Sequence, residues 1–183
     1  MAASRSGHTD TVTALLGAGA NIEHADLHGW TAVLEAAADG HTDIVIALLG
    51  AGANIDYVPV NGKGKTVLMH AAISGNTSCV MKLLAKLLAT GVRVEESRSN
   101  DGWTVLAWAA YRGHASIVTK LLDKIMTWHS EDLQTAYQVA VNRARNTTIN
   151  DGYRESAGAI LAHQYFVSEL PDNCDCNIAP CNV

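Results

Sequence analysis

Apolar positions in this chain return in blocks rather than spreading evenly. Short aliphatic stretches such as AVLEAAA and TDIVIALL alternate with polar segments rich in Gly, Ala and Asn. Within one stretch Ile44, Val45, Leu48 and Leu49 fall at helical spacing and make one apolar stripe. Leucine pairs recur at Leu15 and Leu16, Leu83 and Leu84, and Leu121 and Leu122. Each pair lies eight and nine residues after a glycine: Gly7, Gly40, Gly75 or Gly113. Nine residues before the last three glycines stands a threonine: Thr31, Thr66 or Thr104.

This punctuation predicts two short antiparallel helices per unit. The threonine is expected to cap the first helix, its hydroxyl accepting from a free backbone N–H. The Ala pairs 36–37, 71–72 and 109–110 are small enough for a neighbouring helix to come close. The glycine ends the first helix, where positive φ costs a glycine little. Thr9, Thr42 and Thr77 are expected to cap the second helix. The links, such as GAGANIEHADLHG, read as extended hairpin fingers.

GHTDTVTALLGAGANIEH and GHTDIVIALLGAGANIDY are near-copies 33 residues apart, a period typical of repeat architectures. The next glycine comes 35 residues on, with the extra length in the finger VPVNGKGK. The one after that comes 38 on, and KLLAKLLATG predicts a second helix longer by about one turn. After Leu122 the finger is lost. Thr135 and Ala140 fit the first helix of a divergent unit, and Gly152, Ala157, Ile160 and Leu161 the second. About eight residues are inserted between the two, a length suited to a surface loop.

In register, these units resemble ankyrin repeats. Asp26, Gly29, Thr31, Ala36, Ala37, Gly40, His41, Val45, Leu48, Leu49, Gly52 and Ala53 match the family pattern. The resemblance implies an all-α ankyrin repeat solenoid over residues 1–166. It divides into a partial unit at 1–25, three full repeats at 26–60, 61–98 and 99–131, and a divergent capping unit at 132–166. The family's Pro after Thr is replaced by Ala32, Val67 and Val105, and its His by Leu34, Met69 and Ala107. Both losses predict a stack less stable than an idealised one. The tail 167–183 has no periodicity and is expected to be disordered.

Composition narrows the function. Hydrophobic residues are 48% and aromatics only 5%, which favours closely packed helices over a sheet sandwich. The net charge is −5 with no basic run, which argues against nucleic acid as a partner. No apolar run approaches a membrane span, and no secretory leader is visible. Four cysteines, three of them crowded at Cys174, Cys176 and Cys181, fit a reducing compartment better than a disulfide framework. The expected location is cytoplasmic, with a nuclear or secreted-effector location left open.

Several constellations resemble chemistry and have plainer readings. Gly64-Lys65-Thr66 ends like a phosphate loop, but Pro59 stands where that motif needs its first Gly. Gly17-x-Gly19 and Gly50-x-Gly52 follow a helix, not a strand. His24, Asp26 and His28 alternate and would share a face in an extended finger, a possible metal set, although Asp26 is a family position of the turn. Glu35 and Asp39, four apart, read as a solvated face. No catalytic set can be assembled and no cofactor is implied.

The resemblance also implies where partners dock: finger tips and exposed first-helix positions, forming a concave surface. Carried onto this chain, the candidates are His28, Trp30 and Asp39, then Lys63, Lys65 and Ile73, then Asp101, Trp103, Trp108, Tyr111 and Arg112. Aromatic and Arg side chains are the usual anchors of protein interfaces. For Trp30 and Trp103, packing on the neighbouring finger is an equal reading. The expectation is a monomeric, non-enzymatic module that binds another protein. Two alternatives stand beside it. One is the regulatory array of a larger enzyme, channel or effector, suggested by a first unit that starts midway. The other is a metal-binding protein using His24 and His28 or the cysteine tail.

Overall fold

The computed structural model describes residues 1–59, 61–125, 127–146 and 151–168. Ten α-helices and one 3-10 turn, at Val94–Glu96, make up the regular structure of the described residues. The helices are α1 (Ala2–Arg5), α2 (Thr9–Gly17), α3 (Ala32–Ala38), α4 (Thr42–Gly50), α5 (Val67–Ser74), α6 (Thr77–Ala89), α7 (Val105–Arg112), α8 (Ala115–Lys124), α9 (Ser130–Asn146) and α10 (Asp151–Ser168). Odd-numbered helices pack on one another in chain order and form a first layer. Even-numbered helices form a second layer in the same way, and each pair also packs within its own unit. This is an all-α ankyrin-type solenoid.

The core lies between the layers. Ala36, Ala37, Ala71, Ala72, Ala109 and Ala110 are fully buried, so first-layer helices meet through small side chains. Ile44, Val45, Leu48, Leu83, Leu84, Ile117 and Leu121 fill the second layer's inner stripe. The extra turn predicted after Gly75 is present: α6 has 13 residues where α4 has nine. It carries Lys86 over the end of α4, where the ammonium donates to the Leu49 carbonyl at 3.1 Å. A cation suits the negative end of a helix.

The caps correct the sequence reading. Thr66 accepts from the Met69 N–H at 3.3 Å, and Thr104 from the Ala107 N–H at a long 3.5 Å. Thr31 occupies the same place without that bond, and its hydroxyl is buried. In the second helices Thr9, Thr42 and Thr77 are the first helical residues, so they are not the caps. The residue before each holds the cap position: His8, His41 and Asn76, with His114 opening α8. Asn76 caps with its own side chain, accepting from the Cys79 N–H at 3.0 Å.

That residue also joins neighbouring units. His41 Nε2 lies 2.9 Å from the Arg5 carbonyl, and His114 Nε2 lies 3.2 Å from the Ile73 carbonyl. Asn76 Nδ2 donates to the Gly40 carbonyl at 2.6 Å. The ring of His114 crosses over Gly75 so closely that a Cβ there would sit 2.5 Å from it. Gly75 also has φ +83°, so two separate constraints call for glycine. The divergent last unit keeps the register with another side chain: Tyr153 covers Gly113.

The last unit departs in one further way. Its first helix, α9, runs for 17 residues against eight in α7, and Thr135 stands inside it rather than at its start. The insertion expected as a surface loop is partly taken up by this longer helix. Residues 147–150 and the tail from 169 on, including Cys174, Cys176 and Cys181, lie outside the described residues.

Candidate partner-binding face

Finger turns place the residue that precedes each first helix. The Asp26 carboxylate accepts from the N–H groups of both His28 and Trp30 at 2.8 Å. These bonds fold the finger back and hold the Asp26 pKa below the ordinary carboxylate range, against the opposing effect of burial. Asp26 is thus a turn-forming residue. Ser99 takes the same role in the third unit, accepting from the Trp103 N–H at 3.3 Å. Fingers also join sideways: Tyr57 donates to the Gly29 carbonyl at 2.9 Å, and the Asn100 N–H donates to the Lys63 carbonyl at 2.9 Å.

Two positions per unit then meet across the first layer. One is the residue before the threonine: Trp30, Lys65 and Trp103. The other lies four residues after it: Glu35, His70 and Trp108. Trp30 meets His70 of the next unit, ring centroids 4.8 Å apart and steeply inclined. Lys65 meets Trp108 of the next unit, with Nζ 4.5 Å from the ring. The rule is the same in both cases, so the face is knit by side chains from one unit to the next.

At the third unit the aromatics cluster. Trp103 lies 4.8 Å from Trp108 and 5.3 Å from Tyr111, and Trp108 lies 5.8 Å from Tyr111. Ser99 accepts from the Trp108 indole N–H at 3.3 Å. Arg143, from α9, lies over the Tyr111 ring at 4.5 Å and over the Tyr153 ring at 5.8 Å. All three aromatics of the cluster are half-buried and keep part of their surface open.

The first unit is built differently. Arg5 of α1 makes a two-point ion pair with Glu35, with Nε donating at 2.8 Å and Nη2 completing the pair. Glu35 is buried, which corrects the reading of Glu35 and Asp39 as a solvated face; only Asp39 is exposed. An open groove of about 580 Å³ lies here, lined by Arg5, Asp26, His28, Trp30, Asp39 and His41, among others.

The sequence candidates therefore divide. Trp103, Trp108, Tyr111 and Lys65 come together at one end. His28, Trp30 and Asp39 share the groove at the other. Lys63, Asp101 and Arg112 are exposed, and Ile73 is half-buried, with its carbonyl engaged by His114. Lys63 holds φ +53°, a strained conformation for a non-glycine residue at the finger tip. Sequence reasoning missed Arg5, Glu35, His70, Ser99 and Arg143. The shared offset of Glu35, His70 and Trp108 from their threonines was the available signal.

The remaining groups give little sign of chemistry. His70 is buried, and desolvation, aided by Lys65, pushes its pKa down to about 4. The Cys79 thiol is pushed up to about 11 by burial, which suits an inert core thiol. Among the described residues no three His, Cys, Asp or Glu side chains converge as a metal set. No helix among them is long and apolar enough to cross a membrane.

No curated protein matches the chain. The family model described as ankyrin repeats (3 copies) matches it twice, over residues 1–90 and 54–132. The chain belongs to the ankyrin repeat family, whose members are in general protein–protein interaction modules.

Proposed function

We propose that this protein is a non-enzymatic module that binds another protein on the exposed side of its first helix layer and finger tips. The observation that carries this reading is the half-open cluster of Trp103, Trp108 and Tyr111, with Lys65 over Trp108 and the exposed Arg112 next along α7. Rigid aromatics bring large contact area at low entropic cost, and here Trp108 and Tyr111 are mounted on the packed helix α7, with Trp103 on the hydrogen-bonded turn just before it. His28, Trp30, Asp39, Lys63, Ile73 and Asp101 belong to the same face in this reading and tune specificity. The repeat domain is taken as residues 1–166, binding as a monomer. A cytoplasmic location goes with its unpaired core thiol, Cys79.

The test is affinity capture with mass spectrometry, run in parallel on the wild type and on a Trp103→Ala, Tyr111→Ala, Arg112→Ala variant. The expected result is a partner retained by the wild type and lost from a variant whose helical circular dichroism is intact. A partner retained equally by both would remove this face from the function.

A further inference from the structure

Charge is not spread evenly along the first-layer face. Over residues 26–39 the face presents Asp26 and Asp39, while the buried Glu35 is neutralised by its pair with Arg5 of α1. Over the turns and first helices of the next two units, residues 61–74 and 99–112, the charged side chains are Lys63, Lys65, Arg112 and one carboxylate, Asp101. Asp39 and Arg112 hold the same place in their units, each directly before the helix-ending glycine, so the sign reverses at an equivalent position. Between these ends α5 itself carries no charge at His70 or Ile73; the His70 ring is held neutral by burial.

From this segregation we infer that the occupant is an extended peptide segment of a partner protein, acidic where it crosses Lys65 and Arg112 and basic where it reaches Asp39. The inference rests on the proposed binding face and adds the chemistry and direction of what lies on it. Two helix-to-helix steps separate α3 from α7, roughly 16–20 Å at ordinary packing distances. An extended chain covers that span in about five or six residues. An apolar side chain of the segment would lie on Trp108 and Tyr111, beside the acidic end.

Lys65 is suited to this role. Its ammonium lies over the Trp108 ring and is partly desolvated, so a carboxylate arriving there meets a weakly hydrated cation. A uniform polyanion is a poorer fit. Nucleic acid or an anionic membrane laid along the face would run into Asp26 and Asp39, and the whole chain carries −5. Opposite charges at the two ends also set the direction in which a segment binds, because a reversed segment meets like charge at both ends.

The experiment is selection of a random peptide library displayed on phage against the full chain, followed by titration of a labelled, enriched peptide. The expected peptides carry Asp or Glu and, about five or six residues away, Lys or Arg, always in one order. Inverting that order in the labelled peptide should weaken binding roughly tenfold. Lys65→Glu with Arg112→Glu should abolish the preference for acidic residues, and Asp39→Lys, at the opposite end, should abolish only the preference for basic ones. Because the two variants alter different units, misfolding of one leaves the other as a test.

Enriched peptides without charge order that still depend on Trp103 and Tyr111 would overturn this inference and leave the binding face standing. Absence of enrichment, or peptides indifferent to every one of these variants, would overturn both. Tighter binding of single-stranded DNA or anionic vesicles than of any selected peptide would overturn it in favour of a polyanion.

Discussion

The Trp30 ring meets the His70 ring of the following unit at 4.8 Å, with an interplanar angle of 63°. The contact ties two repeats together and shields the imidazole from water. His70 Nε2 is buried without a hydrogen-bond partner, so protonation there gains nothing to offset lost hydration.

Acid should therefore loosen the stack through His70. Its folded pKa of about 4 lies below its ordinary value of 6.5. Between those values the unfolded chain binds a proton that the folded chain does not, so stability falls as pH drops from 6.5 to about 4 and levels off below. The loss is on the order of 3 kcal/mol across that window. Urea denaturation at pH 7 and pH 4.5 is the measurement. His70→Phe keeps a ring against Trp30 and should remove most of the difference.

Glycines at inter-unit contacts should behave oppositely to glycines in open helix. Gly75→Ala places a Cβ at positive φ and against His114, and should cost about 1–3 kcal/mol. Gly50 lies in α4 with nothing within 4 Å, so Gly50→Ala should stabilise by roughly 0.4–1 kcal/mol. Thermal melts of the two variants should shift in opposite directions.

Core and surface leucines give a similar contrast. Leu48 is 2% exposed, and Leu48→Ala should cost roughly 2–5 kcal/mol. Leu27, at a finger tip, is 98% exposed, and Leu27→Ala should stay within about 0.5 kcal/mol of the wild type. Chemical denaturation of both checks this. A large loss at Leu27 would mean that the finger packs against something within the chain.

Much of this architecture was legible in the sequence because it is local. The αL glycines, the Ala pairs, the Thr66 cap and the extra turn of α6 each follow from a few neighbouring residues. Asp26 was legible as a turn residue through the resemblance to ankyrin repeats, and its two backbone hydrogen bonds give the reason. The Arg5–Glu35 pair was not, because it joins side chains 30 residues apart and no local pattern marks it. Two carboxylates four apart, Glu35 and Asp39, looked equivalent in the sequence, yet an arginine from the preceding unit allows one of them to be buried. The second-helix caps were misplaced by one residue because a Thr one position too late satisfies the same rule. The first layer's contacts between Trp30 and His70, and between Lys65 and Trp108, needed the units to be stacked before they could be seen.

The central claim, that a partner docks on the first layer, is tested most directly by site-specific photo-crosslinking. A photoreactive residue at Ser74, at the end of α5, or at Asp101, at a finger tip, should crosslink the captured partner. The same residue at Lys120, exposed on α8 in the second layer, should not. Crosslinks from Lys120, with none from Ser74 or Asp101, would contradict the account and place the partner on the opposite layer.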